Sequence, residues 1–333
     1  MIGGSRPDGA ATDATVLVTG GAGFLGVALV SELARQGHAV AVLDDFSGAK
    51  RTRLEPPAGP HGSPLHGARV RAVDLRLREA DLRDRAAVED AIAELAPAAI
   101  VHLAARHYIP WCEANPEQTH AINVEGTANL LAAAGAAGVD RLLLASTADV
   151  YAPARRRHAE SDRLAPPSVY GASKLAAERL LAAHLARHPG AEGRALRLFN
   201  VYGPGETNPH VLPAILEQLH AGDVLRLGRT DARRGWIFVE DAARAFAALL
   251  ELPGSDPVNL AGDRAASVDE LIAVIARITG RPLRIERDPE RMRPSDRPVL
   301  AADLARMRDL LPGFAPTALE EGLRRTLVAE GLV

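Results

Sequence analysis

Tyr170 and Lys174 stand four residues apart in the stretch Tyr170-Gly171-Ala172-Ser173-Lys174, at the head of a long helical run. On a helix that spacing puts the phenol and the ammonium on one face. A free phenol titrates near a pKa of about 10 and is a poor base at neutral pH. A neighbouring cation favours the phenolate and turns it into a usable proton acceptor. Tyr108, Tyr151 and Tyr202 have no Lys four positions on. Upstream, Ser146 and Thr147 follow an apolar strand pattern. They fall at the C-terminal edge of a sheet, where open α/β folds bind ligands. A hydroxyl there can share a proton with Tyr170 and hold a substrate hydroxyl.

A second constellation lies near the start of the chain. Gly20, Gly23 and Gly26 sit between the apolar run Val16-Leu17-Val18-Thr19 and a helical pattern. Such glycines allow a tight turn and let backbone N–H groups approach a pyrophosphate at the positive end of the helix. Asp44 ends the next apolar strand, where a carboxylate accepts hydrogen bonds from the adenosine ribose and repels a 2′-phosphate. The pair predicts a dinucleotide site and favours NAD over NADP. Lys50, Arg51 and Arg53 just beyond read as a solvated loop.

The elements that must carry these groups alternate. Strand patterns cover residues 16–19, 39–43, 70–73, 99–103, 141–145 and 195–199. Helical patterns cover 27–36, with Gly37 as the cap, and then 86–96, 116–134 and 168–188. This alternation predicts an α/β fold, a Rossmann-type doubly wound parallel sheet with a smaller C-terminal substrate-binding lobe. The expected division is a disordered N-terminus (1–13), an NAD-binding domain (14–198 plus about 235–261) and a substrate-binding lobe (199–234 plus 262–333). Residues 56–67, 203–205, 228–235 and 294–298 read as loops, and Val258-Asn259-Leu260 as a strand returning to the main sheet.

Composition narrows the classes further. Across 333 residues, 47% are apolar and 24% charged, as in ordinary globular proteins. The net charge of −3, with Arg dispersed among Asp and Glu, predicts no nucleic-acid partner. A single Cys, Cys112, excludes an internal disulfide and a thiolate-rich metal site, and the scattered His residues predict no metal. No apolar run approaches the roughly 20 residues that span a bilayer. The first residues lack the apolar core of a signal peptide, so the expected setting is the cytoplasm, away from membranes.

Taken together, the motifs resemble the NAD-dependent epimerase/dehydratase family of extended short-chain dehydrogenases/reductases. They are Thr19-Gly-Gly-x-Gly-Phe24-Leu25-Gly26, Asp81-Leu82, His102-Leu103-Ala104-Ala105, Asn123-Val124-x-Gly126-Thr127, Ser146-Thr147-x-x-Val150-Tyr151, Tyr170-x-x-x-Lys174 and Arg197-Leu198-Phe199-Asn200-Val201-Tyr202-Gly203-Pro204-Gly205. The resemblance implies that Asp81 and Leu82 flank the adenine and that Leu103, Ala104 and Ala105 line the cofactor. It adds Phe24, Leu25, Ser47, Gly48 and Asn123 to the cofactor set. Thr147, Tyr170 and Lys174 would form the active triad, while Asn200, Arg234 and Arg293 would bind the diphosphate of a nucleotide sugar beside His107. Related 4,6-dehydratases carry Asp-Glu after the Thr. Here Ala148-Asp149 stands there, which disfavours ordinary dehydration but leaves Asp149 as a candidate acid/base. The leading expectation is a C4 epimerase working through a 4-keto sugar. The alternatives are a 4-keto reductase or dehydrogenase, a dehydratase or decarboxylase using Asp149, and a non-catalytic NAD-sensing module. Relatives of this kind are commonly homodimers.

Overall fold

The computed structural model describes residues 14–54, 75–291 and 297–333. β1 (Thr15–Thr19) leads through the glycine turn into α1 (Phe24–Arg35) and back into β2 (Ala39–Asp44). β3 (Arg76–Glu79), α2 (Arg85–Leu95) and β4 (Ala99–His102) follow. Next come α3 (Ile109–Ala114), α4 (Pro116–His120), a π-helical turn (Ala121–Glu125) and α5 (Gly126–Ala136). β5 (Arg141–Thr147), α6 (Val169–Arg187), β6 (Glu192–Leu198) and β7 (Asn200–Tyr202) continue the chain. The rest comprises α7 (Val211–Ala221), β8 (Val224–Leu227), β9 (Arg233–Phe238), α8 (Val239–Leu250), β10 (Val258–Leu260) and β11 (Ala265–Ser267). It ends with α9 (Val268–Thr279), β12 (Arg284–Arg287), β13 (Val299–Leu300), α10 (Ala305–Leu310) and α11 (Leu319–Ala329).

The main sheet has the order β10-β6-β5-β4-β1-β2-β3, every neighbouring pair parallel. Its central strands are apolar on both faces because both are covered. Val16 and Val18 of β1 pack in the core with α1 and α8, whereas Leu17 packs in the core with α2, α5 and α6. The strand order reverses between β1 and β4, which opens a crevice at the C-terminal edge. A separate core joins Tyr202, Trp236 and Phe238 to α7, α9 and α11, beside a second sheet of β11, β9, β13 and β7.

Four differences from the sequence patterns have physical causes. The strand pattern at 70–73 and the loop at 56–67 lie outside the described residues, and the third strand of the sheet is Arg76–Glu79. It is an edge strand, partly exposed and charged, so it carries no apolar run. Residues 233–235 are not a loop but the start of β9, paired with both β11 and β13. The helical pattern 116–134 is interrupted by the π turn, in which the Gly126 N–H reaches the Ala121 carbonyl. The expected solvated loop around Arg53 is instead a 3₁₀ turn, and Arg53 is half-buried, donating to the Gly205 carbonyl at 2.5 Å.

One buried ion pair locks α6 to the sheet. Arg197 on β6 donates to both oxygens of Glu178 on α6, at 3.0 and 2.8 Å, with the two side chains 3% and 9% exposed. Ser146 on β5 donates to the same carboxylate. Nη1 of Arg197 donates to the Tyr151 hydroxyl and the Glu160 carbonyl, both at 3.0 Å. Removing one partner of such a pair leaves the other charge buried and uncompensated. Arg197→Ala is therefore expected to lower stability by about 3–5 kcal/mol in urea unfolding; a loss below about 1 kcal/mol, the range of exposed pairs, would show that the pair does not anchor the helix.

Candidate active site

The glycine turn meets the requirements of a dinucleotide site. Gly20 has φ +69°, and a Cβ there would lie 2.7 Å from the Ala104 backbone nitrogen, which is how β1 and the loop after β4 come together. A Cβ on Gly26 would fall 2.2 Å from the Gly20 carbonyl oxygen, so only glycine lets α1 start so close under the turn. No side chain caps α1 and no acid lies in its first turn. The opening N–H groups and the positive helix end therefore face an anion site. Asp44 is buried and accepts from the backbone N–H of Ala22 at 3.0 Å and of Phe46 at 2.8 Å. Burial pushes its carboxyl above the usual range, and the two amides oppose that rise. Each carboxylate oxygen keeps a second lone pair, enough for two ribose hydroxyls.

Around this turn the other expected cofactor residues fall into two groups. Phe24 and Leu25 open α1, and Ser47, Gly48 and Leu103 to Ala105 follow β2 and β4 at the sheet's C-terminal edge. Asp81 pairs with exposed Arg83 and is held below the usual carboxylate range by it, while Leu82 is buried under Gly126. Asn123 turns inward instead of lining the surface of the cleft. Its oxygen accepts the Arg106 N–H at 2.8 Å, and its amide donates to the Arg106 carbonyl and the Ser173 hydroxyl, both at 2.9 Å. It thus couples the loop after β4 to the first turns of α6. The π turn, widened by one residue per hydrogen-bonded ring, is what carries it there.

His102 holds the same region together. The Thr127 hydroxyl donates to the Asn123 carbonyl, so His102 Nε2 must carry the proton that bonds Thr127 at 2.9 Å. Nδ1 then accepts from Thr19 at 2.7 Å. Burial pushes the imidazole down to about 3, and it stays neutral. Arg106 is a residue the motifs did not mark: its guanidinium donates to Ser47 at 3.0 Å and lies over Trp111, bridging the loops after β2 and β4. Cys112 is a buried filler whose Sγ contacts the Arg106 carbonyl.

Thr147, Tyr170 and Lys174 come together where β5 meets α6. Ser168 caps α6 by accepting the Gly171 N–H at 2.9 Å. A Cβ on Gly171 would lie 2.5 Å from the Asp149 carbonyl oxygen, so glycine at this position lets the helix start against the end of β5. Thr147 Oγ1 accepts the Asp149 N–H at 3.2 Å, leaving its own O–H to donate to the Tyr170 phenol. Burial raises the phenol's pKa, and the Thr147 contact opposes the rise. Burial also pushes the Lys174 ammonium down to about 8, with Glu178 opposing. Glu178 itself is paired with Arg197. Asp149 is committed elsewhere: it pairs with buried Arg297 at 3.0 Å and accepts from the Ser168 hydroxyl.

Across the crevice, Asn200 opens β7 opposite Trp236 of β9, and Arg234 lies two residues earlier on that strand. Arg234 donates to the Arg297 carbonyl at 2.8 Å. Arg293 lies outside the described residues. His107 follows β4, exposed to solvent and within electrostatic reach of Lys174.

A doubly wound sheet, an uncapped helix behind a glycine turn and a Thr/Tyr/Lys set at the same edge define a dinucleotide-dependent Rossmann enzyme. The profile of the NAD dependent epimerase/dehydratase family matches residues 16–261. The chain belongs to that family, and its cofactor is NAD. It is 30% identical over 329 residues to UDP-glucuronic acid decarboxylase 1 of Xenopus tropicalis, covering 94% of this chain and 71% of that protein. It is also 30% identical to UDP-glucose 4-epimerase of Rhizobium leguminosarum bv. trifolii, over 91% of this chain and 92% of that one. Among solved structures, UDP-glucose-4-epimerase of Stenotrophomonas maltophila with bound NAD and formylated UDP-arabinopyranose superposes with a TM-score of 0.84 at 27% identity. That match covers 96% of this chain and 98% of the other.

The depressed Lys174 pKa has a signed consequence. Below about pH 8 both folded and unfolded chains hold the proton, and burial of the ammonium destabilises in full. From about 8 up to the ordinary 10.5 the folded chain sheds it first, so this penalty is relieved as pH rises. Lys174→Met should exceed the wild type in stability by more at pH 7 than at pH 10, measured by urea unfolding without NAD. An equal gap at both pH values would reject the shift.

Proposed function

We propose that this protein interconverts nucleotide sugars that differ in configuration at C4, through a 4-keto sugar made and reduced in one pocket. One observation carries the reading: Asp149, the acidic one of the two residues standing where related dehydratases place an acid and a base, is tied to Arg297 and Ser168. Its neighbour Ala148 is buried and has no proton to give. What remains for chemistry is Thr147, Tyr170 and Lys174, a set suited to moving one proton on and off a hydroxyl.

In this mechanism Thr147 holds the C4 hydroxyl beside Tyr170, which takes its proton. Lys174, buried and one helical turn away, stabilises the phenolate while it exists. The glycine turn and Asp44 would hold NAD, which would supply the hydride-accepting and hydride-donating chemistry at C4. Tyr170 then gives the proton back after the keto sugar has turned its other face. The seven-stranded sheet would hold NAD, and Asn200, Arg234 and Arg293 of the smaller lobe the diphosphate. Relatives named for UDP-glucose and UDP-glucuronate support a UDP-sugar as substrate. A 4-keto reductase uses the same triad without rotation of the sugar. That second reading is supported by 30% identity to dTDP-4-dehydro-6-deoxy-D-allose reductase of Streptomyces bikiniensis.

We place the protein in the cytoplasm as a homodimer, without nucleic-acid or membrane partners. No helix among the described residues is long and apolar enough to cross a membrane. Ala132 of α5 and Ala172, Ala182 and Ala183 of α6 are exposed, small enough for two helix pairs to pack closely. A monomeric mass in small-angle scattering would remove the dimer.

The decisive test incubates the enzyme with UDP-, GDP-, dTDP- and CDP-sugars and follows products by mass spectrometry and proton NMR. Epimerisation gives unchanged mass, altered ring couplings and no net NADH. Loss of water or carbon dioxide would overturn the reading, and a net redox change would favour the reductase or dehydrogenase. Tyr170→Phe should cut turnover by about 10²–10⁴-fold, the scale of general acid–base catalysis, while NAD still binds. Asp149→Asn should cost no more than about tenfold, below that scale; a loss as large as that of Tyr170→Phe, with a flattened pH profile, would restore Asp149 as a catalytic acid or base.

A further inference from the structure

His107, Glu206 and His210 are far apart in sequence but close in the fold. His107 follows β4, while Glu206 and His210 belong to the loop between β7 and α7. One donor atom from each can be chosen such that all three lie within 4.8 Å of one another. The two imidazole rings stack with centroids 5.7 Å apart and an interplanar angle of 29°.

The hydrogen bonds at this point show where the lone pairs aim. The Asn208 amide nitrogen contacts Glu206 Oε1 at 3.2 Å and His107 Nε2 at 3.1 Å. A carboxylate only accepts, so the amide group facing both atoms is the NH₂ donor. His107 Nε2 is therefore an acceptor, and the ring proton resides on Nδ1. The imidazole's hydrogen bond to the Ala105 backbone is its matching partner. Metal-binding histidines are commonly fixed in this way, one nitrogen donating to a backbone carbonyl and the other presenting its lone pair. Here the lone pairs of an imidazole and a carboxylate converge on one donor, with a second imidazole alongside.

We propose that His107, Glu206 and His210 bind one divalent transition ion of borderline softness, Zn²⁺, Co²⁺ or Ni²⁺, in place of the Asn208 amide. Two imidazoles and one carboxylate suit these ions and leave coordination positions open. Mg²⁺ and Ca²⁺ prefer all-oxygen sites and fit poorly. A bound ion would tie the loop after β4 to the loop before α7. Scattered histidines had predicted no metal, because no local spacing pairs them.

The test uses untagged, chelator-treated full-length protein and Co²⁺ alone, without a sugar, so it is independent of the epimerase reading. Calorimetry and visible absorption should show one equivalent bound, with a ligand-field band and a raised Tm. Glu206→Gln and His210→Ala should each weaken Co²⁺ by at least about tenfold, since even outer-shell changes cost that much. Asn208→Asp removes the competing donor and adds a ligand, so it should bind Co²⁺ more tightly, a gain that misfolding cannot mimic. No binding by the wild type, an unchanged affinity in Glu206→Gln and His210→Ala, or an Asn208→Asp variant no tighter than wild type would overturn the site.

Discussion

The carboxylate of Glu178 fixes the position of α6, the helix that bears Tyr170 and Lys174. It accepts from Arg197 on β6 and from Ser146 on β5, two strands paired in register at those very residues. Glu178 lies one turn beyond Lys174 and two beyond Tyr170, so fixing it sets the rotation of α6 against the sheet. The ion pair is almost fully buried, and each charge is satisfied through several hydrogen bonds, the condition under which buried pairs are tolerated. Tyr151 and Asn259 extend the same network to β10, which joins the last strand of the sheet to the helix that bears the phenol.

This arrangement also decides the electrostatics of the site. Lys174 has a carboxylate on its own helix, itself paired with Arg197. Burial of the ammonium weakens its hold on the proton. The phenol of Tyr170 is likewise burdened by burial, and it is relieved by Thr147 rather than by a full charge. Both groups therefore favour their neutral forms, the ammonium losing hold of its proton and the phenol keeping its own.

Fold alone does not choose among the reactions of this family, since similar proteins are named as epimerases, decarboxylases and reductases. We read the choice as lying in a few side chains beside Thr147, Tyr170 and Lys174. Asp149 illustrates the point: its identity suggests an acid or base, and its partners make it a strut between α6 and the segment before β13.

Much of this was legible in sequence because it is local. The glycine turn, Asp44 at the end of β2, Thr147 at the end of β5 and the four-residue spacing of Tyr170 and Lys174 each follow from one element and its ends. Alternating strand and helix patterns were enough for the parallel sheet, since its central strands are apolar on both faces. Edge strand β3 and strand β9 were missed because their sequences are charged or interrupted by glycine, and pairing rather than an apolar run makes them strands. The inward turn of Asn123, the ion pair of Asp149 with Arg297, the bridge made by Arg106 and the meeting of His107 with Glu206 and His210 belonged to tertiary structure alone. Each depends on side chains from separate loops reaching one point, and no periodicity along the chain encodes which loops the sheet edge will bring together.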